Sequence, residues 1–263
     1  MNIALYGTGR AAGALGIALS RSGHQIVSVV GRSPEAERAT SALFDVTPGP
    51  VGLRVIAVKD DAIEAVAHQI ADLDEPAPAV HVSGAVSVAA LDPIAATGSQ
   101  VGSFHPLQTM PDPVNGARRL PGAWIGITAP PPLYGELTAL AESIGCRPFP
   151  VADESKHLYH AAAAASANFV IAALAIAEGL FERSGVPFEA AIPLVDAVVE
   201  NSFALGPRSA LTGPIARSDV GTVSKQLEAV RLGSPELYDQ FVSLARITAE
   251  TAGTADRFED LLR

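Results

Sequence analysis

The first residues whose spacing could do chemistry form a glycine-rich turn near the N-terminus. A strand-forming run ends at Tyr6, Gly7-x-Gly9-x-x-Ala12-Gly13 follows it, and an amphipathic stretch continues from there. Gly7 would permit a tight turn, and Gly9 would let a pyrophosphate approach the backbone at a helix N-terminus, whose free amides favour anions. The spacing predicts a nucleotide site, with a plain strand-to-helix connection as the alternative. The residues expected to line it are Gly7, Thr8, Gly9, Arg10, Ala11 and Ala12.

The end of the second predicted strand indicates which dinucleotide would bind. A cofactor with a free ribose hydroxyl usually meets Asp or Glu there, whereas this chain places Arg32 and Ser33 at that point, in "VVGRSPE". A guanidinium and a hydroxyl suit a 2'-phosphate, so the sequence favours NADP(H) over NAD(H). An ordinary surface charge is the alternative for Arg32.

Two basic side chains in the C-terminal half could act on a substrate. Lys156 is followed by His160 in a stretch that predicts one long helix. Residues four apart lie on one helix face, about 6 Å apart along the axis, which is close enough to share a small substrate. Asn168 lies about 18 Å from Lys156 along the same axis and cannot serve the same atom. A solvated lysine is the alternative for Lys156.

Composition limits the classes of function. The chain has 263 residues and a formal net charge of -10, which argues against non-specific binding to nucleic acid or anionic membranes. We therefore expect small-molecule partners. Cys146 is the single cysteine, which fits a reducing compartment, and we expect a cytoplasmic protein. The histidines show neither an HExxH motif nor a Cys/His cluster, so we expect no metal site.

One apolar stretch is long enough to cross a bilayer. Residues 161–181 are rich in alanine and of about the required length. Ser166, Asn168 and Glu178 interrupt the stretch, and alanine is only weakly hydrophobic. The sequence therefore favours a helix of a soluble protein that is buried on most sides, and no membrane partner.

The order of predicted elements indicates an α/β domain followed by an all-helical domain. Strand-forming runs alternate with amphipathic stretches up to about residue 150, which is typical of parallel βαβ units in a doubly wound sheet. Predicted strands cover 2–6, 25–30, 53–58, 79–82, 100–104 and 123–128; predicted helices cover 11–22, 34–43, 62–72, 87–96 and 133–144. Further helices are predicted over 153–185, 189–203, 218–232 and 234–251. We therefore predict a Rossmann-like domain over 1–150 and a helical substrate and dimerisation domain over 151–263.

Seven segments together resemble a bacterial family that joins a Rossmann-like domain to a C-terminal domain of unknown function and is labelled as NADP-dependent oxidoreductases. The segments are "GTGRAAG", "VGRS", "AVKDDAI", "HVSGAVS", "GSFHPLQT", "KHLYHAAAAASANF" and "LTGPIARSD". The resemblance covers nearly the whole chain. It places the sequence with pyrroline-5-carboxylate reductase, β-hydroxyacid dehydrogenases and 6-phosphogluconate dehydrogenase, whose C-terminal domain is all-helical.

The resemblance implies a site in a cleft between the two domains, near the carboxyl ends of the strands. Loops after successive strands would form its floor; they contain Val58 and Lys59, Ser83 and Gly84, and Ser103 and His105. The first four would contact the cofactor, Ser103 the substrate, and His105 could take part in catalysis. His81 alternates with Ser83 at a strand end, so one of the two could point inward, and a buried core histidine is an equal alternative for His81.

The resemblance also suggests roles for the long helix and a later loop. In β-hydroxyacid dehydrogenases the matching helix carries a lysine that assists proton transfer and an asparagine four residues later; here Lys156 is present, and His160 stands at the second position. The loop 211–219 corresponds to the carboxylate-binding loop of pyrroline-5-carboxylate reductase but lacks its paired glycines. Its anion-binding candidates are Thr212, Gly213 and Arg217, Asn168 is a further substrate contact, and a simple helix-to-helix turn is the alternative.

The function predicted from these features is that of an NADP(H)-dependent oxidoreductase. It would transfer hydride to or from a small anionic carbonyl or imine, with Lys156, His160 or His105 handling the proton. A non-catalytic NADP(H)-binding sensor or scaffold is the alternative, because one fold hosts many functions. A long alanine-rich helix is hard to cover within one small domain, so we also predict a homodimer through the helical domain.

Overall fold

The structure, a computed structural model, describes residues 1–263. The chain divides into two compact units, Met1–Ala164 and Ala165–Arg263. The division falls inside α7, a helix of 29 residues over Lys156–Ser184. The first unit therefore keeps the first turns of a helix that the sequence-based boundary at residue 150 gives to the second domain.

The first unit contains a seven-stranded sheet with the order β2-β1-β3-β4-β5-β6-β7. The strands are β1 (Asn2–Tyr6), β2 (Gln25–Val30), β3 (Leu53–Ile56), β4 (Ala79–His81), β5 (Val101–Leu107), β6 (Trp124–Thr128) and β7 (Arg147–Pro150). The strand order reverses around β1, which is where open α/β sheets bind ligands. The predicted α/β Rossmann-like class is confirmed.

Two features of the sheet differ from the sequence-based prediction. β6 runs antiparallel to β5, although a wholly parallel set of βαβ units was expected. β7 was not predicted; it pairs parallel with β6 at the edge of the sheet. Its sequence is Arg-Pro-Phe-Pro, and proline lacks the amide that a central strand needs, so an edge is the position that tolerates it.

Helices cover both faces of this sheet. They are α1 (Arg10–Arg21), α2 (Pro34–Ser41), α3 (Ile63–Ala71), α4 (Asp92–Ala95), α5 (Pro113–Arg119) and α6 (Leu133–Ser143), followed by the start of α7. The helix predicted over 87–96 is instead a 3-10 turn over Val88–Leu91 followed by α4, where proline stands in the first turn. The unpredicted α5 begins after Asp112, whose carboxylate accepts a hydrogen bond from the Asn115 amide.

Alternate residues of the strands face opposite layers of the core. On one face Val55, Val80 and Phe104 pack with residues of α1 and α6. On the other face Ile56 and Ala79 pack with residues of α3 and α4. This second face continues towards β5, where Ser103 is in register with His81, so the alternation sets which polar side chains meet at the site.

The second unit is all-helical, as predicted. It comprises the remainder of α7, α8 (Ile192–Leu205), α9 (Pro207–Ala210), α10 (Val220–Gly233) and α11 (Tyr238–Ala252). Its core joins α10 and α11 to the C-terminal segment through Val223, Leu227, Val242 and Phe258. By contrast, no residue of α8 is buried, and residues 153–184 form the one helix long and apolar enough to cross a membrane. The expectation that this helix is buried on most sides is therefore wrong for the single chain.

Candidate active site

The glycine turn brings the backbones of three strands together after β1. Gly7 adopts a φ of +126°, and its amide donates to the Val30 carbonyl at 2.8 Å. A Cβ at Gly7 would lie 2.2 Å from the Ala57 carbonyl oxygen, so no other residue fits. A Cβ at Gly9 would have no atom within 4 Å, so the space above Gly9 is open.

The N-terminus of α1 is a helix end without a protein cap. Gly9 occupies the N-cap position, no side chain accepts a hydrogen bond from the first amides, and the first turn has no acidic residue. Helix amides without partners are donors that suit a phosphate. Arg10 is exposed and its guanidinium lies 3.5 Å from the Pro111 carbonyl, while Ala12 is fully buried. The turn therefore fits the pyrophosphate of a dinucleotide.

The end of β2 supplies two polar side chains beside this turn. Arg32 is exposed, and Ser33 caps α2 by accepting a hydrogen bond from the Ala36 amide at 3.3 Å. The Gly31 amide donates to the Glu37 carboxylate at 2.8 Å. Because that amide is engaged, a 2'-phosphate would depend on the Arg32 guanidinium, the Ser33 hydroxyl and the start of α2.

The loop after β4 is organised by His81, which is a buried core residue. Its Nδ1 accepts a hydrogen bond from the Ser83 amide at 3.2 Å, so the hydrogen lies on Nε2, which is buried without a partner. Burial lowers the pKa of His81 to about 4, and the charge of Lys156 adds to the effect. The Ser83 hydroxyl accepts hydrogen bonds from the Ala85 and Val86 amides, which fixes the turn that carries Gly84.

His105 and Tyr159 form a hydrogen-bonded pair on the face of β5. The Tyr159 hydroxyl lies 2.7 Å from His105 Nδ1, and the two rings meet edge to face with centroids 5.4 Å apart. Burial lowers the pKa of His105 to about 4, helped by His160 and then Lys156, and burial raises the pKa of Tyr159 to about 12. Both side chains are therefore neutral at pH 7.

Lys156 lies beside this pair but is buried. Its side chain donates to the Ser103 hydroxyl at 2.5 Å, and the residue is only 2% exposed. Burial lowers the pKa of the Lys156 ammonium, and the nearby Asp153 carboxylate partly offsets this. Asp153 also accepts hydrogen bonds from the Ser87 hydroxyl and the Val88 amide, which ties the loop after β4 to the start of α7.

The predicted site residues thus fall into four groups. The residues of the glycine turn and of the end of β2 lie beside β1. The residues proposed to handle the proton meet near β5, where the His160 and His105 ring centroids are 6.1 Å apart. Val58 and Lys59 follow β3, with Lys59 exposed. Asn168, Thr212, Gly213 and Arg217 belong to the second unit.

The loop of the second unit has a defined internal structure. Gly213 has a φ of +101° and Ser218 a φ of +59°, and the Arg217 amide donates to the Gly213 carbonyl. Asp219 closes the loop by accepting a hydrogen bond from the Thr222 amide at 3.0 Å, which caps α10. Arg217 is exposed. The loop is thus a structured turn with one exposed guanidinium, which is close enough to Asp219 to interact with it electrostatically, and its anion-binding role stays a prediction.

Sequence reasoning missed Tyr159, Gly126 and Asp153. Tyr159 follows Lys156 by three, a spacing that places both on one helix face, and this was the available signal. Gly126 lies under Tyr159: a Cβ there would be 3.2 Å from the tyrosine oxygen and 2.9 Å from Val151 Cγ2. No local pattern predicts that contact, because the residues belong to different elements.

Comparison with known proteins agrees with this architecture. Residues 123–248 match the family model described as domain of unknown function DUF2520. A search of functionally curated proteins gives no match. The resemblance recognised in the sequence is confirmed by this domain and by the solved structures that share the fold.

Several solved structures align over nearly the whole chain. A Bacteroides fragilis protein, provisionally described as an NADP oxidoreductase, is 25% identical with a TM-score of 0.80 over 95% of this chain and 98% of that one. An imine reductase from Pseudomonas sp. is 19% identical, with a TM-score of 0.67 over 98% of each chain. A reductive aminase from Aspergillus terreus, in complex with NADPH and ethyl levulinate, is 16% identical, with a TM-score of 0.61 over 99% of this chain and 90% of that one. The chain thus has the fold of Rossmann-like oxidoreductases.

Proposed function

We propose that this protein is an NADP(H)-dependent oxidoreductase that transfers hydride to or from a small anionic carbonyl or imine compound. The observation that carries the proposal is the uncapped N-terminus of α1 below an open Gly9, beside Arg32 and Ser33. A bound nicotinamide cofactor would supply the hydride. The descriptions of the structural neighbours, which include an NADP oxidoreductase and imine-reducing enzymes, support the same class of reaction.

The residues of this chain have separable tasks in such a reaction. The amides of the glycine turn hold the pyrophosphate, and Arg32 with Ser33 holds the 2'-phosphate. The proton that must reach or leave the substrate heteroatom is handled at the cluster of His105, Lys156 and His160. The anionic group of the substrate pairs with a cation, for which Lys156 is the candidate in the first unit.

The test begins with binding and continues with a substrate panel. Calorimetry measures NADPH affinity, and absorbance at 340 nm follows its oxidation with 2-oxo acids, cyclic imines, and ketones mixed with amines. We expect binding, and turnover of at least one anionic member of the panel. Binding without any turnover would favour the sensor alternative, and no binding of either dinucleotide would contradict both.

Two variants separate the cofactor site from general damage. In Gly9→Val, the branched side chain occupies the open space above the turn, so NADPH binding should weaken by at least about a hundredfold, roughly 2.7 kcal/mol. The control is Gly135→Ala on α6, where a Cβ also meets nothing within 4 Å. If Gly9→Val binds NADPH as the parent does, the phosphate site is wrong.

Arg32 should decide between the two dinucleotides. With a guanidinium facing the 2'-phosphate, NADPH should bind at least about tenfold more tightly than NADH, which is roughly 1.4 kcal/mol. Arg32→Ala should remove the preference. The matched control is Arg38→Ala, an exposed arginine of α2 that pairs with Glu35. Equal affinities in the parent would contradict the choice of cofactor.

We propose further that the helical unit joins two copies of this chain into a cytoplasmic homodimer. α7 and α8 leave large apolar side chains in water: Phe169 is 67% exposed, Ile171 61% and Phe203 91%. Exposed apolar surface of this kind marks an interface. A second copy is the favoured occupant because it presents the same long apolar face and a homodimer buries both faces at once.

Light scattering at micromolar concentration tests the dimer. The parent should have the mass of two chains, and Phe203→Glu should shift it towards one. Leu232→Glu, at a 70% exposed leucine of α10, is the matched control and should stay dimeric. A monomeric parent, or a parent recovered only with detergent-solubilised membranes, would contradict the proposal.

A further inference from the structure

The His105–Tyr159 pair is held by contacts from three separate elements of the first unit. His105 projects from β5, and Tyr159 comes from the first turns of α7. Phe149 of β7 also packs against the tyrosine ring, with centroids 5.9 Å apart. The tyrosine oxygen is thereby fixed 2.7 Å from His105 Nδ1.

Two glycines make room for the two rings. A Cβ at Gly84 would lie 2.7 to 2.9 Å from three atoms of the imidazole, so the ring rests directly on the Gly84 backbone. A Cβ at Gly126 would crowd the tyrosine oxygen at 3.2 Å. Neither glycine has a positive φ that would require it for conformational reasons. The close approach of the rings is what these positions accommodate.

We propose that Tyr159 is the catalytic acid that protonates the substrate heteroatom and that His105 is the positioning residue that holds and recharges it. The inference rests on the proposed function and names the proton donor at its site. A neutral imidazole whose Nδ1–H donates to the tyrosine oxygen leaves the tyrosine proton free to point at a substrate.

The protons and electron pairs balance in this arrangement. When the substrate carbon gains hydride, the π pair of its C=O or C=N bond moves to the heteroatom. The Tyr159 O–H bond breaks as the heteroatom–hydrogen bond forms, leaving a phenolate that the Nδ1–H of His105 stabilises. Nε2 then takes a proton from solvent as Nδ1 passes its own to the phenolate, and exchange with solvent returns the hydrogen from Nε2 to Nδ1 before the next turnover. In the oxidative direction each transfer reverses.

Lys156 and His160 act through this pair. Both residues lower the pKa of His105, in addition to the larger effect of burial. The imidazole therefore stays neutral and can donate its Nδ1–H to the tyrosine oxygen. Lys156 is itself bonded to Ser103 and buried, whereas the Tyr159 side chain is partly exposed. Tyr159 is therefore the better placed of the two to touch a substrate.

Kinetics with the substrate found by the panel tests the assignment. Tyr159→Phe keeps the ring and removes only the hydroxyl, and its kcat should fall by about a hundredfold to ten-thousandfold with NADPH affinity unchanged. Tyr134→Phe on α6 is the matched control. His105→Asn keeps a donor near the position of Nδ1 and should lose less than His105→Leu, a rescue that a purely structural role does not produce.

Gly84→Ala changes the backbone that supports the His105 ring while leaving His105 and Tyr159 themselves unsubstituted. The added methyl group must displace the imidazole, so kcat should fall by about tenfold or more, whereas Gly135→Ala should match the parent. If both variants turn over at the parent rate, the ring position does not matter to the reaction.

Nitrogen-15 NMR of the histidines tests the hydrogen-bond direction without any reaction. The parent should show His105 with its hydrogen on Nδ1 at pH 7, and Tyr159→Phe should perturb that nitrogen. A hydrogen on Nε2 would overturn the proposed direction of donation. Undiminished turnover by Tyr159→Phe would overturn the proton-donor role while leaving the oxidoreductase intact. A parent that binds NADPH but reduces nothing would end the proposed function and this role with it.

Discussion

His81 should make the folded first unit sensitive to mild acid. Its side chain is fully buried, and burial holds its pKa at about 4, against 6.5 for the free group. Between these two values the His81 imidazole is protonated in the unfolded chain and neutral in the folded chain. The contribution of His81 to the free energy of unfolding is therefore fully present above about pH 6.5 and is lost as the pH falls towards 4.

The size of the loss follows from the two pKa values. A difference of about 2.5 between them corresponds to about 3 kcal/mol when the loss is complete. At pH 5 the imidazole is almost fully protonated in the unfolded chain and almost neutral in the folded chain. The free energy of unfolding is therefore about 2 kcal/mol lower at pH 5 than at pH 7 through this group.

Urea unfolding at pH 7 and pH 5, followed by tryptophan fluorescence, measures this loss. Trp124 is the only tryptophan and lies in the same unit as His81, so the signal reports the relevant transition. The comparison is the parent against His81→Asn, which should lose about 2 kcal/mol less on acidification. His157→Asn, at an exposed histidine of α7, is the control and should behave as the parent. An identical acid loss in His81→Asn and the parent would refute the reasoning.

Three further outcomes are expected. Gly7→Ala should cost at least about 2 kcal/mol in urea unfolding, because the new Cβ has both a forbidden φ and a clash with the Ala57 carbonyl. Cys146 is buried, with its pKa raised to about 11, so a disulfide reagent at pH 8 should modify it only after urea is added. Asp153→Ala should cost about 1 to 3 kcal/mol in thermal or urea unfolding, because it removes two hydrogen bonds, one of them from the Ser87 hydroxyl.

The parts of the fold that the sequence predicts well are those with local signals. β1 and β2 have the predicted bounds, and α1 begins one residue before its predicted start, because the glycine turn and the alternation of apolar residues are both local. The exposed faces of α7 and α8 were predicted only in part. The sequence shows that the long helix is hard to cover, but its composition also fits a helix buried within one domain.

The errors in the sheet have a common physical cause. Strand direction depends on where the connection returns the chain, and the segment between β5 and β6 contains only the short α5. The connection, residues 108–123, has the dozen or more residues that a parallel crossover needs, so its length does not decide the direction and no local pattern predicts it. β7 was not predicted because its two prolines are typical of loops.

The candidate site shows the same division between local and non-local information. The glycine turn is one contiguous segment, so its spacing alone predicts the open approach at Gly9 and the helix N-terminus with free amides. The His105–Tyr159 pair joins residues of β5 and α7 that are separated by 54 positions, so no pattern near Tyr159 predicts its hydrogen bond to His105. Lys156 was noticed for its chemistry, but its burial against Ser103 follows only from the packing of α7 on the sheet.

The basic groups around β5 favour the anionic substrate that we propose. His81, His105 and Lys156 all have lowered pKa values, with burial as the largest cause. The charge of Lys156 also lowers the pKa of both imidazoles. Asp153 is the acidic group that offsets part of this field at His81 and Lys156. Removing water from such a site costs less when the incoming molecule brings a negative charge, since that charge stabilises the Lys156 ammonium. The same charge would raise the pKa of His105 towards neutrality, which would ease the uptake of a proton at Nε2 in the step that returns Tyr159 to its protonated form.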